Sequence, residues 1–328
     1  MRLWTRSLWA LGLLAGALAG CDGCGSDEPE AALPELPSPP DPPPFSCDDP
    51  KLEPLVSVHE HLEVAPRDVP LMLDIAKKVG VGKVNVFPFL NEHTDAQNET
   101  FLQAMLDRPD ELSSFVVLDP HDDRAVEKLD ALVKKGAIGV KLYSGHSDFY
   151  RKGSIVGPTA RKIYAYLEEK SLPLLMHVNA SKLEPELRQV LDAHPELVML
   201  CPHYCLLAGK AGRLHKLLSD YPNLYTDVSF GSPHIMIVGM RLISQNHERL
   251  RAVLRTHRHR VAFAMDHTIF DELKHPEQFV TIGRAYRDAL EKERFAFLKK
   301  DHHGMHLDDC TLQSIYRINP ERFLAGKP

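Results

Sequence analysis

The stretch PLVSVHEHLEV occupies Pro54–Val64. A short apolar run leads into two histidines separated by one glutamate. The run is short and apolar on both parities, as a strand buried on both faces should be. Strand side chains alternate with period two, so His59 and His61 point to one side and Glu60 to the other. Two imidazoles so placed can reach one metal ion at about 2 Å. They can equally be two unrelated polar residues at a strand end. What decides between these readings is whether the same unit recurs along the chain.

It recurs. Similar apolar runs are KVNVF (83–87), SFVVL (114–118), AIGVKL (137–142), PLLMHV (173–178), LVMLC (197–201), NLYTDV (223–228) and RVAFAM (260–265). Between them lie segments with helical spacing, among them Val69 to Val79, Arg124 to Lys135, Thr159 to Lys170, Glu184 to Ala193, Ala211 to Ser219 and Glu248 to His257. Eight β/α units in about 275 residues predict an α/β fold of the closed (β/α)8 TIM-barrel type. The alternative is an open doubly wound sheet. The chain has neither a Gly-x-Gly-x-x-Gly after a strand nor a Gly-x-Ser-x-Gly elbow, so the usual nucleotide and α/β-hydrolase signals are missing.

In such a barrel the active site forms where strands end and βα loops begin. Strand one ends on His59 and His61, strand four carries Lys141, and strand five ends on His177. Strand six is followed by His203, and strand eight ends on Asp266. One such residue after an apolar run is commonly a satisfied polar group. Five strand ends in this order point to a metal site at the barrel mouth.

This ordered set resembles the amidohydrolase superfamily of metal-dependent hydrolases. The similarity is greatest to the amidohydrolase-related branch that includes the aminocarboxymuconate-semialdehyde decarboxylases. GAIGVKLYSG (136–145) is similar to that branch's strand-four segment, and INPERFLAG (318–326) to its C-terminal Asn-x-x-Arg-Phe helix. The resemblance covers roughly Leu55 to Gly326, nearly the whole domain. It implies a metal held by His59, His61, His177 and Asp266, with His203 and Asp266 as catalytic groups. The branch usually shows Gly-Ser-Asp on strand eight, where this chain has Ala264-Met265-Asp266, followed directly by His267, which is expected to intrude on the site. HEHL is also similar to the phosphotriesterase-like branch, in which a carboxylated strand-four lysine bridges two metals. Lys141 occupies the matching strand and would either do this, with a second metal, or orient substrate.

Imidazole and carboxylate ligands suit Zn²⁺ and also Mn²⁺, Fe²⁺ or Co²⁺. The expected function is a metal-dependent hydrolase in which a metal-activated water attacks a small ester, amide or lactone. Non-oxidative decarboxylation of a small carboxylic acid is the alternative at the same site. A non-catalytic binding lipoprotein is the alternative outside enzymology. Tyr143 and Arg241 are candidates to meet an anionic substrate. DPHDD (119–123) reads as a helix-capping loop and DHHGMH (301–306) as a solvated loop.

The N-terminus carries a different message. Arg2 and Arg6 precede an apolar run from Leu8 to Ala19, shorter than the roughly 20 residues of a membrane span. The run ends in LAGC (18–21), which resembles a bacterial lipoprotein signal with Cys21 as the lipidated residue. Residues 1–20 are therefore expected to be a signal peptide. Residues 21–50 are rich in proline and acid and are expected to be a disordered tether. Residues 51–328 form the barrel domain. The protein is expected to be exported and lipid-anchored, to the inner or the outer membrane. Cys24 and Cys47 could pair in that compartment, with Cys201, Cys205 and Cys310 as buried thiols. The net charge of -6, with both signs interspersed, excludes a nucleic-acid footprint and leaves a small molecule as the partner in solution.

Overall fold

The computed structural model describes residues 47–146, 154–231, 233–270 and 276–328. The signal peptide, Cys21, Cys24 and all but the last four residues of the tether lie outside the described residues.

The eight apolar runs form the eight strands of a parallel (β/α)8 barrel. Strand one is Leu55–Leu62, strand two Val81–Phe87, and strand three comes in two pieces, Leu112–Ser114 and Val116–Val117. Strands four to seven are Val140–Leu142, Leu174–Met176, Met199–Cys201 and Leu224–Asp227. Strand eight is also split. Val261–Ala262 pairs with strand seven, and Thr268–Ile269 pairs with strand one. Between the two pieces the Val58 amide donates to the Phe263 carbonyl at 3.1 Å, which joins strand one to strand eight.

The chain alternates along each strand as a barrel requires. Leu175, Tyr225, Ala262 and Ala264 pack in one apolar cluster within the barrel. Their neighbours Leu174, Met176, Leu224, Val261 and Phe263 belong to the larger cluster between strands and helices. Phe323, on the C-terminal helix Asn319–Leu324, reaches Phe115 and Tyr225 with ring centroids 5.7 Å from each. Asn319 on the same helix donates to the carbonyls of Arg258 and Val261, so this segment fastens the start of strand eight.

Strand one departs from simple alternation. Ser57 pairs with Val84 but Glu60 pairs with Val86, so three steps on strand one match two on strand two. This is a β-bulge, which re-aims the side chains after it. Val58 packs in the barrel interior, and His59 and His61 face the same space beyond it. Glu60 is left on the outer side, as period two between these three residues predicts.

Two expectations need correction. Cys310 is not a free thiol: it forms a disulfide with Cys47, 263 residues away in sequence. Cys47 is therefore not left for Cys24. Cys201 and Cys205 are buried free thiols, as expected. The histidine-rich segment after Lys300 is not a solvated loop throughout. Asp301–His303 lies in the second strand of an antiparallel hairpin, Arg294–Phe297 with Lys300–His303. There His302 is buried and stacks on Phe295, and His303 stacks on His247. At 119–123 the loop is held by its own carboxylates, Asp119 accepting the His121 amide and Asp122 the Arg124 amide, each at 2.9 Å, while Arg124 at the N-cap of the next helix makes no side-chain cap.

Candidate metal centre

The tips of strands one, four, five, seven and eight, with the turn after strand six, bring the site residues together. His59 Nε2 and His61 Nε2 are 3.0 Å apart. Asp266 Oδ1 lies 3.3 Å from the first and 3.1 Å from the second. All three residues are buried.

The far sides of the two imidazoles fix which nitrogen carries the proton. His59 Nδ1 meets Asp227 Oδ2 at 2.9 Å, so Nδ1–H donates to the carboxylate. His61 Nδ1 meets the Tyr143 hydroxyl at 2.7 Å, and that hydroxyl donates its own proton to the Pro88 carbonyl. The Tyr143 oxygen must then accept from His61 Nδ1–H. Both Nε2 atoms therefore present lone pairs to one another and to a carboxylate oxygen. Asp266 Oδ1 has no hydrogen-bond partner although it is buried. Lys141 Nζ, 3.0 Å from His59 Nε2, meets one of these lone pairs from the side, and a cation between all three atoms would relieve the rest of their repulsion. Donor atoms about 2.0–2.1 Å from one tetrahedral ion lie about 3.3 Å apart, close to the separations here. The donor set fits a divalent metal, with carboxylate–histidine support behind His59 of the kind such sites use.

His203 is the next residue outward. Its Nδ1–H donates to the Ser229 carbonyl at 3.1 Å, and its Nε2 lies 3.5 Å from Asp266 Oδ2. One ligand atom from each of His59, His203 and Asp266 fits within 4.8 Å of the others. The His177 ring lies 5.0 Å from the His203 ring and 4.5 Å from that of His146, on the strand-four loop. His177 thus stands on the His203 side of the group, half-buried. His203 sits in an unusual turn. His203, Tyr204, Cys205 and Leu206 all have φ between 53° and 61°, the left-handed region that side chains disfavour.

Lys141 projects from strand four with Nζ 3.0 Å from His59 Nε2 and over the faces of Phe87 and Tyr143. Burial lowers its ammonium to about 7 despite the nearby carboxylates of Asp266 and Asp227. Burial raises Asp266 to about 7, against the pull of His203 and Lys141. The imidazoles of His59, His61 and His177 are all held well below their ordinary value, chiefly by burial. Neutral imidazoles are the form that binds metal.

Some of these placements were not read from the sequence. Asp227 is the hub of the support, accepting at Oδ1 from the His203 amide, the Ser229 amide and the Ser229 hydroxyl, and at Oδ2 from His59. Its signal was present in NLYTDV, where it follows inward Tyr225 by two. Gly231 passes so close that a Cβ there would stand 2.7 Å from Asp266 Oδ2. Phe89 stacks on His61 at 5.4 Å and meets the exposed Phe270 edge-on at 6.3 Å, forming an aromatic wall beside the site. His267 does not enter the site. It is buried and packs edge-on against Phe279. Arg241 is exposed on its helix, and Tyr143 is committed to His61 and Pro88.

The amidohydrolase family model matches residues 67–325. No curated protein matches the chain in sequence. Several solved structures share its fold. The 2,6-dihydroxybenzoate decarboxylase from Rhizobium is 14% identical, with 83% of this chain and 98% of that chain covered and a TM-score of 0.57. An amidohydrolase from Burkholderia multivorans with bound zinc is 12% identical over 83% and 99%, with a TM-score of 0.58. A probable 2-pyrone-4,6-dicarboxylic acid hydrolase from Acinetobacter baumannii, with citric acid bound, is 13% identical over 83% and 99%, with a TM-score of 0.55.

Proposed function

The chain belongs to the amidohydrolase family, and on that premise we propose that it is a metal-dependent hydrolase of small ester, amide or lactone substrates. The observation that carries this reading is the convergence of His59 Nε2, His61 Nε2 and the unpartnered Asp266 Oδ1 within 3.0–3.3 Å, with the imidazole protons locked outward. We assign His59, His61 and Asp266 as ligands, with His177 completing the set from strand five, and zinc as the ion. A divalent ion there would polarise a carbonyl and bring a water's pKa toward neutrality. With Oδ1 turned to the two imidazoles, Asp266 Oδ2 would be left on the His203 side as a candidate acceptor for that water's proton. His203, 3.5 Å from Asp266 Oδ2, stands where it can exchange that proton or donate to a developing oxyanion. Lys141 supplies a buried donor for an anionic substrate group, in preference to serving as a carboxylated bridge to a second metal.

Lys141 also favours a second reading, non-oxidative decarboxylation. A cationic amine at the site would hold a substrate carboxylate, and the shared fold with a benzoate decarboxylase is consistent with this. The aromatic wall of Phe89 and Phe270 would receive a planar substrate in either reading.

Metal analysis and a substrate panel test the assignment. The purified protein is expected to carry about one zinc per chain, lost in His59→Ala and Asp266→Ala. Esters, lactones, amides and aromatic carboxylates are then assayed with Zn²⁺ and with Mn²⁺. Acid release supports hydrolysis and carbon dioxide release supports decarboxylation. A filled metal site with no turnover would favour a binding lipoprotein.

We further propose export and lipidation at Cys21, with a tether before the barrel. The Cys47–Cys310 disulfide supports an oxidising compartment. Lipid label retained by the wild type and lost in Cys21→Ser checks this, and equal labelling of both would refute it.

A further inference from the structure

Asp266 adopts a backbone conformation that its side chain disfavours. Its φ is 50°, in the left-handed region. The residues on either side show how that conformation is held. In a regular strand, successive amides point to opposite sides, so a neighbouring strand receives every second one. Here three successive amides all turn to strand one. The Asp266 amide donates to the His59 carbonyl at 2.9 Å. The Met265 amide reaches Glu60 Oε1 at 3.3 Å and Ser57 Oγ at 3.2 Å. The His267 amide donates to Glu60 Oε2 at 2.8 Å. The backbone of strand one supplies an acceptor for the middle amide, and a side chain supplies those for the outer two. Glu60 is fully buried, and the Ser57 hydroxyl donates to its Oε1.

We propose that Glu60, the central residue of His59-Glu60-His61, is the positioning residue for Asp266. Its two carboxyl oxygens clamp the amides on either side of Asp266 and hold the left-handed turn that aims Oδ1 at the two imidazoles. The bulge at Ser57–Glu60 makes this possible, because it sends Glu60 outward beneath strand eight while His59 and His61 face the site. The residue type follows from the geometry. Gln has one acceptor, and its amide nitrogen would face a peptide N–H. Asp is one methylene too short to span both amides. On the other side, only a glycine at 231 leaves room for this placement, since a Cβ there would stand 2.7 Å from Asp266 Oδ2.

The inference rests on the metal-site reading above, and the test separates the two. Zinc affinity of the full-length protein is measured by competition with a chromophoric chelator, and apo stability by urea unfolding. The variants are Glu60→Gln, Ser57→Ala, Asp266→Ala and Asn98→Ala. Asn98 is the control, a buried residue that bonds both the amide and the carbonyl of Val117 on strand three at 2.8 Å. Glu60→Gln is expected to weaken zinc at least tenfold and to alter the visible spectrum of the cobalt-loaded protein. Ser57→Ala, which removes only the hydroxyl that steadies Glu60, is expected to weaken zinc about threefold and keeps the test alive if Glu60→Gln does not fold. Asn98→Ala should lose stability yet bind zinc within twofold of wild type. Wild-type zinc affinity in both Glu60→Gln and Ser57→Ala, or an equal loss in Asn98→Ala, would overturn the positioning role. Zinc binding unchanged in Asp266→Ala, or absent from the wild type, would overturn the metal-site reading and this inference with it.

Discussion

Replacing Asp227 by Asn changes one atom of the site and tests the tautomer argument on which the metal reading depends. Asp227 Oδ1 accepts three donors: the His203 amide at 2.9 Å, the Ser229 amide at 3.0 Å and the Ser229 hydroxyl at 2.7 Å. Oδ2 accepts one, from His59 Nδ1–H at 2.9 Å. An Asn side chain keeps its oxygen toward the three donors, because the flipped amide would set an NH2 group against all of them. Its nitrogen then faces His59 Nδ1, which must become the acceptor. The imidazole proton moves to Nε2, the atom turned to His61 and Asp266, and the lone pair for the metal is lost. Removing such outer support typically weakens metal binding 10–100-fold, or about 1.4–2.7 kcal/mol. With zinc at about 100 times the wild-type Kd, binding stabilises the wild type by about 2.7 kcal/mol, and the variant by only about 0.4–1.4 kcal/mol. Chelator competition gives the affinity, and urea unfolding with and without zinc gives the stabilisation. The apo variant should remain folded, since three of the four hydrogen bonds persist and the fourth reverses direction. A folded Asp227→Asn protein that binds zinc within twofold of wild type would refute the argument.

A second prediction concerns acid stability away from the site. His257 is buried, accepts from Arg260 Nη2 at Nδ1 at 2.8 Å, and is paired through Nε2 with His215 at 3.0 Å. Burial, Arg260 and His215 lower it to about 3. A depressed histidine stabilises the fold above its unfolded pKa of about 6.5, and that contribution is lost as pH falls toward 3, at about 1.4 kcal/mol per pH unit. Stability measured by urea unfolding from pH 6.5 to 4 should fall less steeply in His257→Gln by about that slope, and parallel curves would count against the assignment. The disulfide supplies a third. Cys47→Ser or Cys310→Ser should each cost about 2–5 kcal/mol in denaturant unfolding, because the bridge closes most of the chain. Non-reducing peptide mapping should find Cys47 joined to Cys310, and a Cys24–Cys47 peptide would contradict the structure.

Much of the fold is legible along the chain. Each barrel strand is a short apolar run whose alternate residues separate two environments. LPLLMHVN shows this directly, with Leu175 inward and Leu174 and Met176 outward. At Lys141, His177 and Asp266 the chemistry is legible for the same reason, since an inward position at the end of an apolar run opens into the barrel mouth. His59, His61, Lys141, His203 and Asp266 are drawn together there, with His177 beside His203. Asp227 obeys the same rule on strand seven and went unread because an acid after a strand is also a common cap.

Other features depend on pairings that leave no local trace. Alternation from Leu55 would place His59 and His61 on the outer side, and only the bulge against strand two turns them inward. The partner of Cys47 lies 263 residues away and carries no spacing signal. The left-handed φ of Asp266 appears once strand one lies beside it and Glu60 takes the amides around it. The order of apolar runs and polar tips, set by hydrophobic burial at short range, determined the barrel and most of the residues at its mouth. Which lone pairs meet, which protons face away and which carboxyl group holds another in place were decided by contacts between strands that only the closed barrel brings together.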